Sequence, residues 1–179
     1  NANNKEYVFY VDEGYKIDWM YPFLLPNGLI MKLNNLPVRQ LSDTDVANDF
    51  EYWGKQRDKL LSMPQFQKCA SARFTYAKMR SAIAGLYVYH NRYAEAEMAF
   101  NEALVFYPDS PDANYRLAEL YFRTEQYDKA DELLMRFKRN NPNDKKIDDF
   151  NKLGEVYKRI FHQKKEIEKT IATGKIDLG

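Results

Sequence analysis

Side chains able to do acid–base, nucleophilic or metal chemistry are few and scattered. The chain has two histidines, His90 and His162, and one cysteine, Cys69. Neither histidine sits in an HExxH or comparable metal spacing. His90 falls between two expected helices, where a polar surface residue is routine. Cys69 has no histidine near it in sequence, and a buried helical thiol is the expectation. One cysteine permits neither an intrachain disulfide nor a thiolate metal cluster. The 7 glycines are not clustered into a phosphate-cradling loop. Asp43, Asp45, Asp49 and Glu51 are acidic neighbours, but at a helix start negative charge complements the helix dipole. No catalytic, cofactor-binding or metal residue is assigned, and the chain is read as non-enzymatic.

Bulk properties set the same direction. The 179 residues suffice for one domain with a core. Formal charge is +1, from 27 basic and 26 acidic side chains, which gives no general pull toward nucleic acid or anionic lipid. A hydrophobic share of 45% is too high for a disordered chain. The 14 tyrosines suit helix packing near solvent and contact surfaces. No apolar run approaches the ~20 residues of a spanning helix. The first residue is Asn1 rather than Met, and the expectation is a piece of a longer protein.

Residues 1–41 read as an N-terminal extended segment. Tyr7 to Val11 is β-branched and aromatic, and Gly28 to Leu33 is a second strand candidate, so a short hairpin can form. Asp12-Glu13-Gly14, Tyr21-Pro22 and Leu25-Pro26-Asn27-Gly28 carry turn signals. Residues 42–179 read as helical. Ser42 with Asp45 resembles a capping box, and a helix is predicted over 43–61 with Val46, Phe50, Trp53 and Leu60 on one face. Met63-Pro64 ends it. A long helix is then predicted over 66–90.

The middle of the chain repeats. Tyr87, Tyr93, Ala96 and Pro108 recur as Tyr121, Tyr127, Ala130 and Pro142, each 34 residues on. Two units follow, 77–110 and 111–144. Ala84 and Ala118 stand where the two helices of a unit cross, opposite Ala96 and Ala130, since a larger side chain would force the backbones apart. Ile83, Leu117, Tyr87 and Tyr121 fill the space between, and Pro108 and Pro142 stop each second helix. In period and residue types these units resemble the tetratricopeptide (TPR) family. They depart from it at the first aromatic position, occupied by Arg80 and Asn114. They depart again at Leu134 and Phe137, a compensating exchange of volume within one turn.

Leu153-Gly154 and Tyr157 restart the pattern two residues late. Residues 145–162 are predicted as a capping helix, with a second helix over 163–172; terminal repeats of solenoids are atypical because one face meets water. The Lys145-Lys146 and Lys164-Lys165 pairs fit such a solvated cap. Interleaved aromatics are missing there apart from Tyr157 and Phe161, so nucleic acid is not a predicted partner.

The resemblance implies a mainly α, TPR-type superhelix whose first helices line a groove for a protein or peptide. By register the lining residues are Lys78, Ser81, Gly85, Val88 and Tyr89, then Asp112, Tyr115, Glu119, Phe122 and Arg123. Tyr89, Tyr115 and Phe122 are the exposed-aromatic candidates. Residues 1–41 could instead occupy the groove as an internal ligand. Ser81 and Gly85 stand where the chaperone-tail-binding subset of the family carries Lys and Asn, which argues against that activity.

A wider resemblance rests on Phe9-Tyr10-Val11-Asp12-Glu13, Trp19-Met20-Tyr21-Pro22, Gly28-Leu29-Ile30-Met31-Lys32-Leu33 and Met79 to Tyr87. These stretches are similar to the soluble tail of bacterial membrane proteins resembling protein O-mannosyltransferases. That resemblance implies a soluble domain at the cell envelope, docking acceptor protein or its own membrane domain without inserting itself. A stand-alone cytoplasmic adaptor is the alternative.

Overall fold

The computed structural model describes residues 8–12 and 18–172. Tyr7, Glu13, Gly14 and the stretch after residue 172 lie outside the described residues. The chain divides into two compact units, 1–113 and 114–179.

The first unit opens with an antiparallel sheet of β1 (Phe9–Val11), β2 (Leu24–Asn27) and β3 (Ile30–Leu33), in the order β1-β3-β2. The two predicted strands do pair, Phe9 opposite Leu33 and Val11 opposite Met31. β2 was not predicted, because Pro26 and Asn27 read as turn. The turn is only Gly28-Leu29, which closes the pair Asn27 and Ile30. Gly28, at φ 67°, takes the first central position that a two-residue hairpin reserves for glycine. Pro26 is tolerated because β2 is an edge strand. A 3₁₀ turn at Asp18–Phe23 leads into β2. The Asn34 N–H and the Val38 N–H tie the exit chain back to the Phe23 and Pro22 carbonyls. Met20, Tyr21, Leu24 and Met31 are buried, and the sheet packs on α1 and α3.

α1 (Asp43–Leu61) begins as predicted: Ser42 Oγ accepts from the Asp45 N–H at 3.0 Å, and the Asp45 carboxylate accepts from the Ser42 N–H at 3.2 Å. The predicted single helix over 66–90 is in fact two, α2 (Pro64–Lys68) and α3 (Ala70–Tyr89), broken at an extended Cys69. Packing explains the break. Phe66 and Tyr76 would lie about 15 Å apart along one straight helix, yet their rings meet edge-on at 5.5 Å. The kink folds Phe66 back into a cluster with Tyr76, Trp53 and Phe106. It also leaves Cys69 exposed, correcting the expected buried thiol. α4 (Tyr93–Phe106) returns against α3, with Ala84 and Ala96 fully buried.

α5 (Pro111–Arg123) carries the boundary between the units, and α6 (Tyr127–Asn140) and α7 (Lys146–Ala172) complete the second. Ala118 and Ala130 are fully buried there. α7 is one continuous helix, where a break near Gln163 was predicted. No proline or glycine lies between Tyr157 and Ala172 to interrupt it.

The 34-residue register reappears in backbone geometry. α3 ends with Asn91 at φ 58°, and α5 with Glu125 at φ 62°. The Arg92 N–H donates to the Tyr87 carbonyl at 2.9 Å, and the Gln126 N–H to the Tyr121 carbonyl at 2.8 Å. The Asn91 and Glu125 N–H groups bond Val88 and Phe122 in the same way. Both turns are Schellman motifs, which satisfy the last carbonyls of the first helix.

Candidate functional site

In the first unit, the family's usual aromatic position holds Arg80, which is completely buried. A buried guanidinium needs compensation, and α1 and α4 supply it. Arg80 Nη1 donates to Asp49 Oδ2 at 2.5 Å, and Arg80 Nε donates to Glu102 Oε2 at 2.8 Å. The guanidinium also lies over the rings of Phe50 and Trp53, at 4.6 and 5.2 Å. The Tyr87 hydroxyl donates to Asp49 Oδ2 at 2.6 Å. Burial, with the Asp49 carboxylate beside it, pushes the Tyr87 pKa far up, so its hydroxyl stays protonated. The cluster is closely paired, although Asp49 Oδ1 and the Trp53 indole N–H are buried with no hydrogen-bond partner. It is an ionic core joining α1, α3 and α4, without access for a substrate. Asp49, assigned to the helix dipole from sequence, belongs to this core. The signal lay in its sharing one face with Val46 and Trp53, together with an arginine in an aromatic position.

Among the predicted groove residues of this unit, Ser81 and Gly85 are buried, and Ser81 Oγ donates to the Ala77 carbonyl at 2.8 Å. Lys78 and Val88 are half-buried, and Asp112 is exposed. Tyr89 keeps 48% of its surface in solvent. Its ring is met by Tyr21 of the N-terminal segment, centroid to centroid at 5.6 Å, and by the edge of His90 at 5.0 Å. The His90 imidazole is half-buried at the end of α3, and burial lowers its pKa. Trp19, two residues before Tyr21, is 70% exposed; in the sequence it stands out only within the wider resemblance, not as a groove residue. Its position two residues from Tyr21, whose ring lies tilted against Tyr89, brings it to notice.

The second unit treats the same register differently. Tyr115 and Phe122, expected to be exposed, are only 6% and 1% accessible. α7 covers them. Phe150 stacks on Tyr115 at 4.4 Å and Tyr157 stacks on Phe122 at 5.9 Å. Gly154 lets the helix approach: a Cβ there would lie 2.7 Å from the Phe122 ring. Phe137 of α6 meets Tyr115 edge-on at 5.3 Å. Burial, and the Asp144 carboxylate, push the Tyr115 pKa up. Glu119 and Arg123 pair with each other at 2.9 Å across one helical turn. The register spacing puts these positions on one face of α5, but the cover comes from sequence outside the repeat pattern.

A tetratricopeptide repeat family model matches residues 87–150. The match runs from the end of α3 into α7, and with the helical hairpins it supports a TPR protein. No curated protein and no solved structure matches the chain significantly. Among the described residues, no helix is long and apolar enough to cross a membrane, and no group of His, Cys, Asp and Glu could hold a metal ion.

Proposed function

We propose that this chain is a non-catalytic interaction module that captures a peptide or protein segment on the first helix of repeat one. The tetratricopeptide match over α4–α6 carries the reading, since repeats of this type suggest protein–protein contact. The residues proposed to meet the partner are Tyr89, Val88, Lys78 and Asp112, joined by Trp19. A half-exposed tyrosine already backed by another aromatic ring offers a large apolar area with few rotamers to freeze, the usual chemistry of a contact hot spot. Glu119 and Arg123, paired with each other in the second unit, are left out of this surface. Tyr115 and Phe122 serve this reading as packing residues beneath α7.

The test is selection of binders from a displayed random-peptide library on the whole chain, followed by calorimetry. Selected peptides should lose at least tenfold in affinity to Tyr89→Ala, and should bind Met98→Ala, on the exposed face of α4, as tightly as wild type. Equal loss in both variants, or none in either, would reject the surface.

A second reading makes the chain the soluble accessory domain of a membrane glycosyltransferase resembling O-mannosyltransferases. What favours it is the residue resemblance over 7–33 and 50–87, of which the family match touches only Tyr87. Blotting of membrane and soluble fractions of the source cell tests it. A membrane band far larger than this chain's 21.2 kDa is expected; a soluble band of that mass would end it.

A further inference from the structure

α7 has two faces with different fates. Phe150, Gly154 and Tyr157 pack on α5, while Phe161 meets Tyr127 at 5.8 Å and Lys158 reaches Asp131 at 3.0 Å. Away from that face run Val156, Ile160, Ile167 and Ile171, each between 41% and 60% exposed. At 3.6 residues per turn these four fall within an arc of about 60°. Such a stripe along a helix is the seam of a two-helix pair. Residues 162–171 are all exposed, so this part of the helix stands clear of its own unit.

The charges beside the stripe choose the partner. Arg159 and Glu166 flank it on one side, seven residues apart and opposite in sign; Lys164 flanks it on the other. We infer that α7 pairs antiparallel with α7 of a second copy of this chain. In that alignment the two-fold axis sets each Arg159 beside the other copy's Glu166, twice over. Val156 then meets the other copy's Ile167, and Ile160 packs beside the other copy's Gln163. A parallel pair would instead bring Arg159 against Lys164, which is repulsive. Complementarity of this self-matching kind is what a two-fold interface requires.

The test is sedimentation velocity of the whole chain, under reducing conditions, over a concentration series. Wild type should move from monomer toward dimer as concentration rises. Ile160→Glu should remain monomeric with an unchanged helical spectrum, since Ile160 keeps 57% of its surface in solvent. Arg159→Glu should raise the concentration of half-association at least fivefold. The swap Arg159→Glu with Glu166→Arg should return it to within about twofold of wild type. A wild-type monomer up to millimolar concentration would overturn the proposal. So would tighter association of Arg159→Glu, the mark of a parallel pair, or a swap no better than the single reversal.

Discussion

The two units build the same 34-residue hairpin around different hearts. In the first, position 80 holds an arginine locked between Asp49 and Glu102, and α1 provides half of the cage. In the second, the equivalent residue is Asn114, also fully buried, with no charge to neutralise. The covers differ as well. Tyr89 receives Tyr21 from the N-terminal segment and stays half open, whereas Tyr115 and Phe122 are sealed by α7. The period therefore dictates the crossing alanines, the Schellman turns and the stopping prolines. What meets the outer face of each first helix is decided by neighbouring, non-repeating sequence, and that decides which unit has surface to offer.

The largest expected effect separates the two hearts. Arg80→Met should cost about 3–5 kcal/mol in urea unfolding, because it strands the buried Asp49 carboxylate. Adding Asp49→Leu should recover part of that loss. Asn114→Ala, the same position in the other unit, should cost only about 1–3 kcal/mol. Equal costs would mean the two cores are energetically alike.

Next comes the cover on the second unit. Gly154→Ala should destabilise by about 1–3 kcal/mol, since the new methyl cannot clear the Phe122 ring without shifting it. Gly54→Ala on α1 is the control, because no atom lies within 4 Å of its new Cβ. It should stabilise by about 0.5–1 kcal/mol through helix propensity. Thermal melts of both variants measure the contrast.

A smaller effect distinguishes the two turns. Glu125 pays for a left-handed backbone that asparagine at 91 tolerates better. Glu125→Gly should stabilise by about 1 kcal/mol, and Asn91→Gly by less, when both are compared by melting.

α1 with its capping box and the crossing alanines show what was legible in the sequence: features whose cause lies within a few residues or in the repeat itself. The boundaries of α1 follow from Ser42, Asp45 and Met63-Pro64, and the alanine crossings follow from the repeat. Tertiary causes were not legible. The break at Cys69 arises because Phe66 is needed in the Trp53 cluster, with no proline or glycine to announce it. The burial of Tyr115 and Phe122 depends on α7, whose Gly154 and Tyr157 stand two residues out of register. β2 was hidden by a proline that only an edge strand can hold.

The smallest effect concerns pH. The folded state holds Tyr87 and Tyr115 protonated, both with raised pKa values. Their share of stability is fully present below the unfolded tyrosine pKa, near 10, and falls as pH rises above it. Tyr87→Phe should flatten that alkaline decline in urea-unfolding midpoints measured from pH 8 to about 11.

The central claim is that the partner surface lies on the first helix of repeat one. Hydrogen–deuterium exchange of the whole chain, with and without a library-selected peptide, tests it most directly. Added protection should fall on residues 78–89 and on the segment around Tyr21, with residues 115–123 of α5 unchanged. Protection on α4 or α6, with 78–89 exchanging as before, would contradict it.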